Sequence, residues 1–241
     1  MDFTIFQNDF KLFIDKFGLI SPYQSGISSG NGIRYTAEYV VSLLETFNYA
    51  SGVIDTEVNR INESVLKCQV QPGLYKRTPD DGRLEAPDDY VGLGTISNLI
   101  NHNIALDILK YGKEHKCFLV IPYIYNNCEP GKWNIGAWLG RQQQVICHLQ
   151  FAAGIKPALW RKIWWCGAIY LSTKSDVKDQ DAYVLSWHLV KTAKGKSWLC
   201  DKFINYWKKK QEKRGLKISQ VLKDYFGFDH PLTKYLQNDT I

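Results

Sequence analysis

No stretch of the 241 residues approaches the roughly 18 to 20 consecutive apolar residues that a spanning helix needs. The start, Met1-Asp2-Phe3-Thr4, has neither the basic region nor the apolar region of a secretory signal, so synthesis in a cytoplasm is the expectation. Cysteine pairs are missing as well. The six cysteines, at 68, 117, 128, 147, 166 and 200, include no C-x-x-C, and no Cys/His spacing fits a zinc site. Six reduced, mostly buried thiols are expected, because a chain of this length folds without a disulfide framework. No two of the five histidines share a metal-ligand spacing on one helix, so no metal and no cofactor is expected. There is no G-x-S-x-G elbow, no Walker loop, no dinucleotide fingerprint, no internal repeat and no low-complexity tract. The Gly- and Ser-rich segment 25–32 can hold an anion at a helix start, but it lacks the Lys-Ser/Thr of a phosphate loop.

Hydrophobic residues make up 45% of the chain and charged residues 22%, the balance of a globular domain. The net charge of +6 is uneven. From Lys191 to Lys223 the chain carries eleven Lys and Arg against two acids, Asp201 and Glu212. A basic segment of this kind can attract nucleic acid or an anionic surface. Between the charges, Trp198, Phe203, Trp207, Leu216 and Val221 read as core anchors, which makes the lysines the solvated face of amphipathic helices.

Apolar residues at 33, 37, 40, 41, 44 and 47 form one face at helical spacing, with Asn31-Gly32 as turn and cap. Further helices are expected over 56–68, 88–109, 135–151, 158–171, 179–191, 197–214 and 219–226, with a short one after Pro231. The run 118–121 is a strand or a buried extended segment. A polar loop of roughly 17 residues, 71–87, exceeds the usual connection length, and ordered loops of that length are often functional. The fold expected is all-α: one domain over 1–241 with eight or nine helices and a basic helical segment over 191–241. An orthogonal bundle and an array of antiparallel helix pairs, such as a toroid around a cleft, both satisfy the pattern.

Several carboxylates stand where loops meet helices: Asp80, Asp81, Glu85, Asp88, Asp89, Asp179 and Asp181. Capping and dipole pairing account for such positions. Glycoside hydrolysis uses the same residue type in another way, with one carboxyl as acid and a second as base or nucleophile across the scissile bond. Asp88 or Asp89 paired with Asp181 or Glu38 meets that need if the helix starts converge. All eight tryptophans lie between 133 and 207, and most read as core. Trp133 and Trp138 adjoin an Asn- and Gly-rich loop with Arg141 nearby, a setting that suits sugar stacking as well as loop anchoring.

Four stretches carry a resemblance: Ser29-Gly30-Asn31-Gly32-Ile33-Arg34-Tyr35-Thr36-Ala37-Glu38-Tyr39; Pro72 to Arg77 with Pro87-Asp88-Asp89-Tyr90; Trp138 to Gln142 with Phe151 to Gly154; and Asp179 to Trp187. Together they resemble a group of uncharacterised proteins encoded by tailed bacteriophages, over about residues 25 to 230. The resemblance implies a viral origin, with synthesis in the host cytoplasm and association with the virion. It supplies no reaction and no site residue.

The reading that follows is a phage-encoded protein that engages a glycan and hydrolyses it. The catalytic candidates are Glu38, Asp88, Asp89 and Asp181, and the substrate-binding candidates are Asn31, Arg34, Tyr35, Arg77, Tyr90, Asn127, Trp133, Trp138 and Arg141. A non-enzymatic virion component held by other virion proteins is the second reading. Association with nucleic acid through 191–223 is the third.

Overall fold

The computed structural model describes residues 2–48, 52–81, 89–115, 135–174, 180–226 and 230–236; the side chains of 89, 135–141, 180, 181 and 225 are not part of that description. Among the described residues there are eleven α-helices. They are α1 (Phe3–Phe10), α2 (Gly32–Thr46), α3 (Asp55–Lys67), α4 (Asp89–Leu99), α5 (Asn103–Glu114), α6 (Ile135–Ala152), α7 (Leu159–Ser172), α8 (Gln180–Ala193), α9 (Trp198–Lys213), α10 (Ile218–Phe226) and α11 (Pro231–Tyr235). The described strands are β1 (Gln69–Gln71) and β2 (Leu74–Tyr75), which form one antiparallel hairpin.

Burial divides the long helices into two kinds. Every residue of α2 but a few is buried, as are residues 90–97 of α4 and 183–190 of α8. A helix that is buried on all sides must lie inside the fold. By contrast, α3, α5, α7 and α9 each bury one stripe: Ile61, Ser64 and Val65 on α3; Ile104, Ala105 and Ile108 on α5; Trp165, Cys166 and Ile169 on α7; Cys200, Ile204 and Trp207 on α9. Inner and outer helices alternate along the chain from α2 to α9. Each outer helix returns the chain so that the next inner one can start at the same end.

Side-chain contacts fix the direction of the inner helices. Arg34 of α2 lies against Gly92 of α4, and four residues later Glu38 faces His188 of α8. His188 in turn meets Thr95 of α4. Further on, Lys191 of α8 pairs with Glu45 of α2 at 2.5 Å. Beyond α8, Lys196 bonds Asn98 at the end of α4 and the Phe151 carbonyl at the end of α6. Residue numbers rise together along α2, α4, α6 and α8, so the four run parallel.

Two glycines let α4 into the centre. A Cβ at Gly92 would fall 3.1 Å from the Arg34 Cα, and one at Gly94 would fall 2.5 Å from the ring of His148 on α6. The N-terminal segment is strapped to α2 by Thr36. Its hydroxyl donates to the Gly32 carbonyl at 2.7 Å and accepts from the Ile20 N–H at 2.9 Å. Tyr39 donates to Glu57 of α3 at 2.7 Å, and Arg60 clamps the same carboxylate with two bonds of 2.6 and 3.0 Å. Burial pushes Glu57 up, but the Arg60 guanidinium and the Tyr39 hydroxyl hold it below the usual carboxylate range.

The single helix expected over 88–109 is two, α4 and α5. The chain turns at Asn101, whose side chain accepts from the Asn103 N–H at 3.3 Å, while Ser97 Oγ accepts from the Ala105 N–H at 3.0 Å. The first part of the loop expected over 71–87 belongs to the hairpin. Its turn residue Gly73 has φ +85° and presses on the Asp107 carbonyl of α5, where no side chain fits. Helix α1 was not among the helices expected. The run 118–121 lies outside the described residues.

Adding a methyl group at Gly94 forces it into the His148 ring, which is held by a 2.9 Å bond from Nε2 to the Val91 carbonyl. Overpacking of this kind costs about 1–3 kcal/mol, against a helix-propensity gain of about 1 kcal/mol. Gly94→Ala is therefore expected to lower the unfolding free energy by up to about 2 kcal/mol in urea titration. An unchanged midpoint would show that the ring yields freely.

Candidate functional site

The centre of the inner helices is polar. Glu38 is 0% exposed, and among the described residues neither of its carboxylate oxygens has a hydrogen-bond partner. Its neighbour is His188, whose Nε2 stands 3.5 Å from Glu38 Oε1. The other ring nitrogen, Nδ1, is 3.1 Å from Thr95 Oγ1. Thr95 has one hydroxyl proton, which it gives to the Val91 carbonyl at 3.1 Å. The His188 ring thus bridges Glu38 of α2 and Thr95 of α4, one nitrogen to each.

The polar chain continues through α4. His148 of α6 donates from Nε2 to the same Val91 carbonyl at 2.9 Å. Its ring is completely buried, and burial drives its pKa from the ordinary 6.5 down to about 3; the nearby His188 adds to the effect. Gln142 of α6 and Thr192 of α8 bring further buried polar atoms that have no partner among the described residues. Such atoms are rare in folded proteins and call for a physical reason.

Above this centre the inner helices begin. Asn31 caps α2 seven residues before Glu38, and position 181 lies in the first turn of α8 seven residues before His188. Position 89 starts α4 six residues before Thr95. At 1.5 Å per residue these starts lie roughly 9 to 10.5 Å from the Glu38–His188–Thr95 contact, level with one another to about one residue. A spacing of seven returns to the same face of a helix. Asn31 thus shares the helix face of Glu38. Arg34, half-buried, stands one turn below Asn31, and Arg77 packs along Gly30, where a Cβ would meet its guanidinium at 3.5 Å.

Not every candidate belongs to this end. Tyr35 and Tyr90 are core residues, 2% and 1% exposed. Tyr35 packs edge-on against Phe226, and the Tyr90 hydroxyl accepts from the Tyr75 N–H of the hairpin at 3.5 Å. Neither reaches a ligand on the surface. The same holds for Glu38, which is enclosed and cannot touch a scissile bond in this state. Asp88, Asn127 and Trp133 lie outside the described residues. So do the side chains of Asp89, Trp138, Arg141 and Asp181, although their backbones belong to α4, α6 and α8. His148, His188 and Thr95 were not among the candidates from sequence. Their signal, one polar residue on an otherwise apolar inner helix, is visible only once those helices are known to be inner.

No known protein family, curated protein or solved structure matches the chain. Among the described residues, no group of three or more His, Cys, Asp or Glu is placed to hold a metal ion. The described cysteines, 68, 147, 166 and 200, are free and buried. Trp165, Trp187 and Trp207 are core, as expected, whereas Trp160, Trp164 and Trp198 are exposed. The anchor role expected for Trp198 therefore fails; it stands at the start of α9 and points away from the stripe formed by Cys200, Ile204 and Trp207. A hollow of about 780 Å³ lies elsewhere, between α10, α11 and the end of α1, lined by Lys217, Lys223, Lys234 and Asp9. There Lys234 is tied to Asp9 at 2.7 Å.

Two buried histidines set an acid limit on the fold. His230 uses both ring nitrogens, Nε2 with the Ser21 carbonyl at 3.0 Å and Nδ1 as acceptor from the Leu232 N–H at 3.2 Å. Burial lowers its pKa to about 4. His148 and His230 both stay neutral in the native state, at pH values where the unfolded chain takes up protons. Stability is thus complete above about pH 6.5 and declines as pH falls toward 4, by up to about 1.4 kcal/mol per pH unit for each histidine. Urea midpoints measured between pH 7.5 and 4.5 should show this decline, and His230→Asn should make it shallower. A flat profile would mean that both rings are protonated in the native state.

Proposed function

We propose that the protein engages a glycan at the end of the molecule where the inner helices begin, and hydrolyses it through two carboxylates, Asp181 and one of Asp88 and Asp89. The observation that carries this reading is the level start of α2, α4 and α8. It brings Asn31, Arg34, position 89 and position 181 to one end, above a buried centre rich in unsatisfied polar atoms. Parallel helices in contact lie about 8–10 Å apart. Helix starts at that separation are compatible with the roughly 5 to 10 Å between carboxyls that glycoside hydrolysis uses.

In that geometry one carboxyl protonates the glycosidic oxygen as the bond to the anomeric carbon breaks. The other, as carboxylate, takes a proton from the water that attacks the same carbon. Asn31, Arg34 and Arg77 supply hydrogen-bond donors to sugar hydroxyls or to an acidic sugar. Glu38 and His188 act beneath them as a positioning pair, because their register keeps α2 and α8 level. The phage origin implied by the resemblance belongs to this proposal and makes a bacterial surface or cell-wall polymer the natural substrate.

The test is hydrolysis of a panel of bacterial cell-surface and cell-wall glycans by the wild type, Asp88→Asn, Asp89→Asn and Asp181→Asn. The expected result is a loss of about 10²- to 10⁴-fold in kcat for Asp181→Asn and for one of Asp88→Asn and Asp89→Asn, with circular dichroism unchanged. The remaining variant should lose little. A wild type that releases nothing from any glycan would favour a non-enzymatic virion component, with the acids serving as helix caps.

A further inference from the structure

The outer surface of α7 is apolar on the side that should face water. Trp160, Ile163, Trp164, Gly167 and Leu171 stand at i, i+3, i+4, i+7 and i+11, which is a single helical stripe. The opposite stripe, Trp165, Cys166 and Ile169, is the one that packs on the core. Leu171 is 64% exposed and Ile163 56%, and Leu159 and Tyr170 extend the patch at its edge. The neighbouring α9 adds Trp198, 71% exposed, at its start. Tyr206 of α9 stacks on Tyr170 at 5.8 Å, and a groove of about 260 Å³ runs between them beside Lys202 and Phe203.

Cations surround this patch. Arg161 lies over the Trp160 ring at 4.8 Å, Lys202 over Trp198 at 4.1 Å, Lys174 over Tyr170 at 5.4 Å and Lys210 over Tyr206 at 5.6 Å. From Ile155 to Lys174 the chain has no acid at all. On α9 the acid nearest the patch, Asp201, is turned to the Gly195 N–H at 2.9 Å.

We propose that this face seats the protein on an anionic lipid surface. Tryptophan and tyrosine settle at the boundary between headgroups and acyl chains. Leu159, Ile163 and Leu171 enter the apolar layer, and the long Lys and Arg side chains reach out to the phosphates. Among the described residues no helix is long and apolar enough to cross a membrane, so the attachment is peripheral. Two other occupants fit less well. A second copy of the chain would bring the same cationic rim against itself. A single-stranded nucleic acid would use the aromatic rings and the cations, but it has no use for three exposed aliphatic side chains.

The experiment is cosedimentation with vesicles of equal parts phosphatidylglycerol and phosphatidylcholine, and with vesicles of phosphatidylcholine alone. The wild type should bind the first and not the second, with a blue shift of tryptophan emission and weaker binding as salt rises. The double variant Ile163→Glu, Leu171→Glu changes only exposed positions, and circular dichroism checks its fold. It should bind the anionic vesicles at least about tenfold more weakly. Equal binding by variant and wild type, or no binding to anionic vesicles even at low salt, would overturn the proposal. So would capture of a single-stranded oligonucleotide, or self-association, by the same face in place of vesicles.

Discussion

Taking a carboxylate out of water costs several kcal/mol unless charge or hydrogen bonds replace the lost solvent. Glu38 is fully enclosed, and His188 is the group within reach of it. That need fixes more than one pair. His188 reaches Glu38 with one ring nitrogen and Thr95 with the other, and Thr95 meets the Val91 carbonyl. Three inner helices are thereby set at one height, and His148 ties the fourth to the same carbonyl. Apolar packing alone would let parallel helices slide by a turn, because one leucine-sized contact replaces another. A polar chain of this kind does not tolerate a slide.

With α2, α4 and α8 held level, their first turns open on one end, where the candidate sugar-binding and acidic positions lie. Because the inner helices are parallel, each must be followed by an outer helix that runs back. Those outer helices form the surface, and α7 is the one whose surface is apolar where solvent would demand polar residues. Site and docking face thus sit on different layers of the same alternation, and the basic segment from 191 onward joins them. Lys191 is tied to the interior by Glu45, and Lys196 by Asn98 and Phe151. Lys202 and Lys210 lie over the exposed aromatic rings.

Local periodicity made most helices legible. The face read at 33, 37, 40, 41, 44 and 47 is α2 almost residue for residue, and the limits of α6 to α10 differ from expectation by one or two positions. What the pattern could not show was a break without Gly or Pro. The α4–α5 turn is made by Asn101 and Ser97 bonding to backbone, a tertiary arrangement that leaves the hydrophobic period intact. The site was legible in part. Carboxylates at helix starts could be seen, but whether the starts converge depends on inner-helix direction. Glu38 was legible as an acidic candidate, yet its meaning is internal: it faces a histidine 150 positions away. Trp198 misled for the opposite reason. Its spacing from the basic residues looks like that of an anchor, and only the packing of Cys200 and Ile204 shows that it points outward.

The surroundings of His188 test this arrangement most directly, by nitrogen NMR of the histidine rings in the folded protein. Each ring nitrogen faces one partner, so one ring signal should shift in Glu38→Gln and the other in Thr95→Val. Ring signals unaffected by either substitution would contradict the bridge. The level register of the inner helices would then lack its cause.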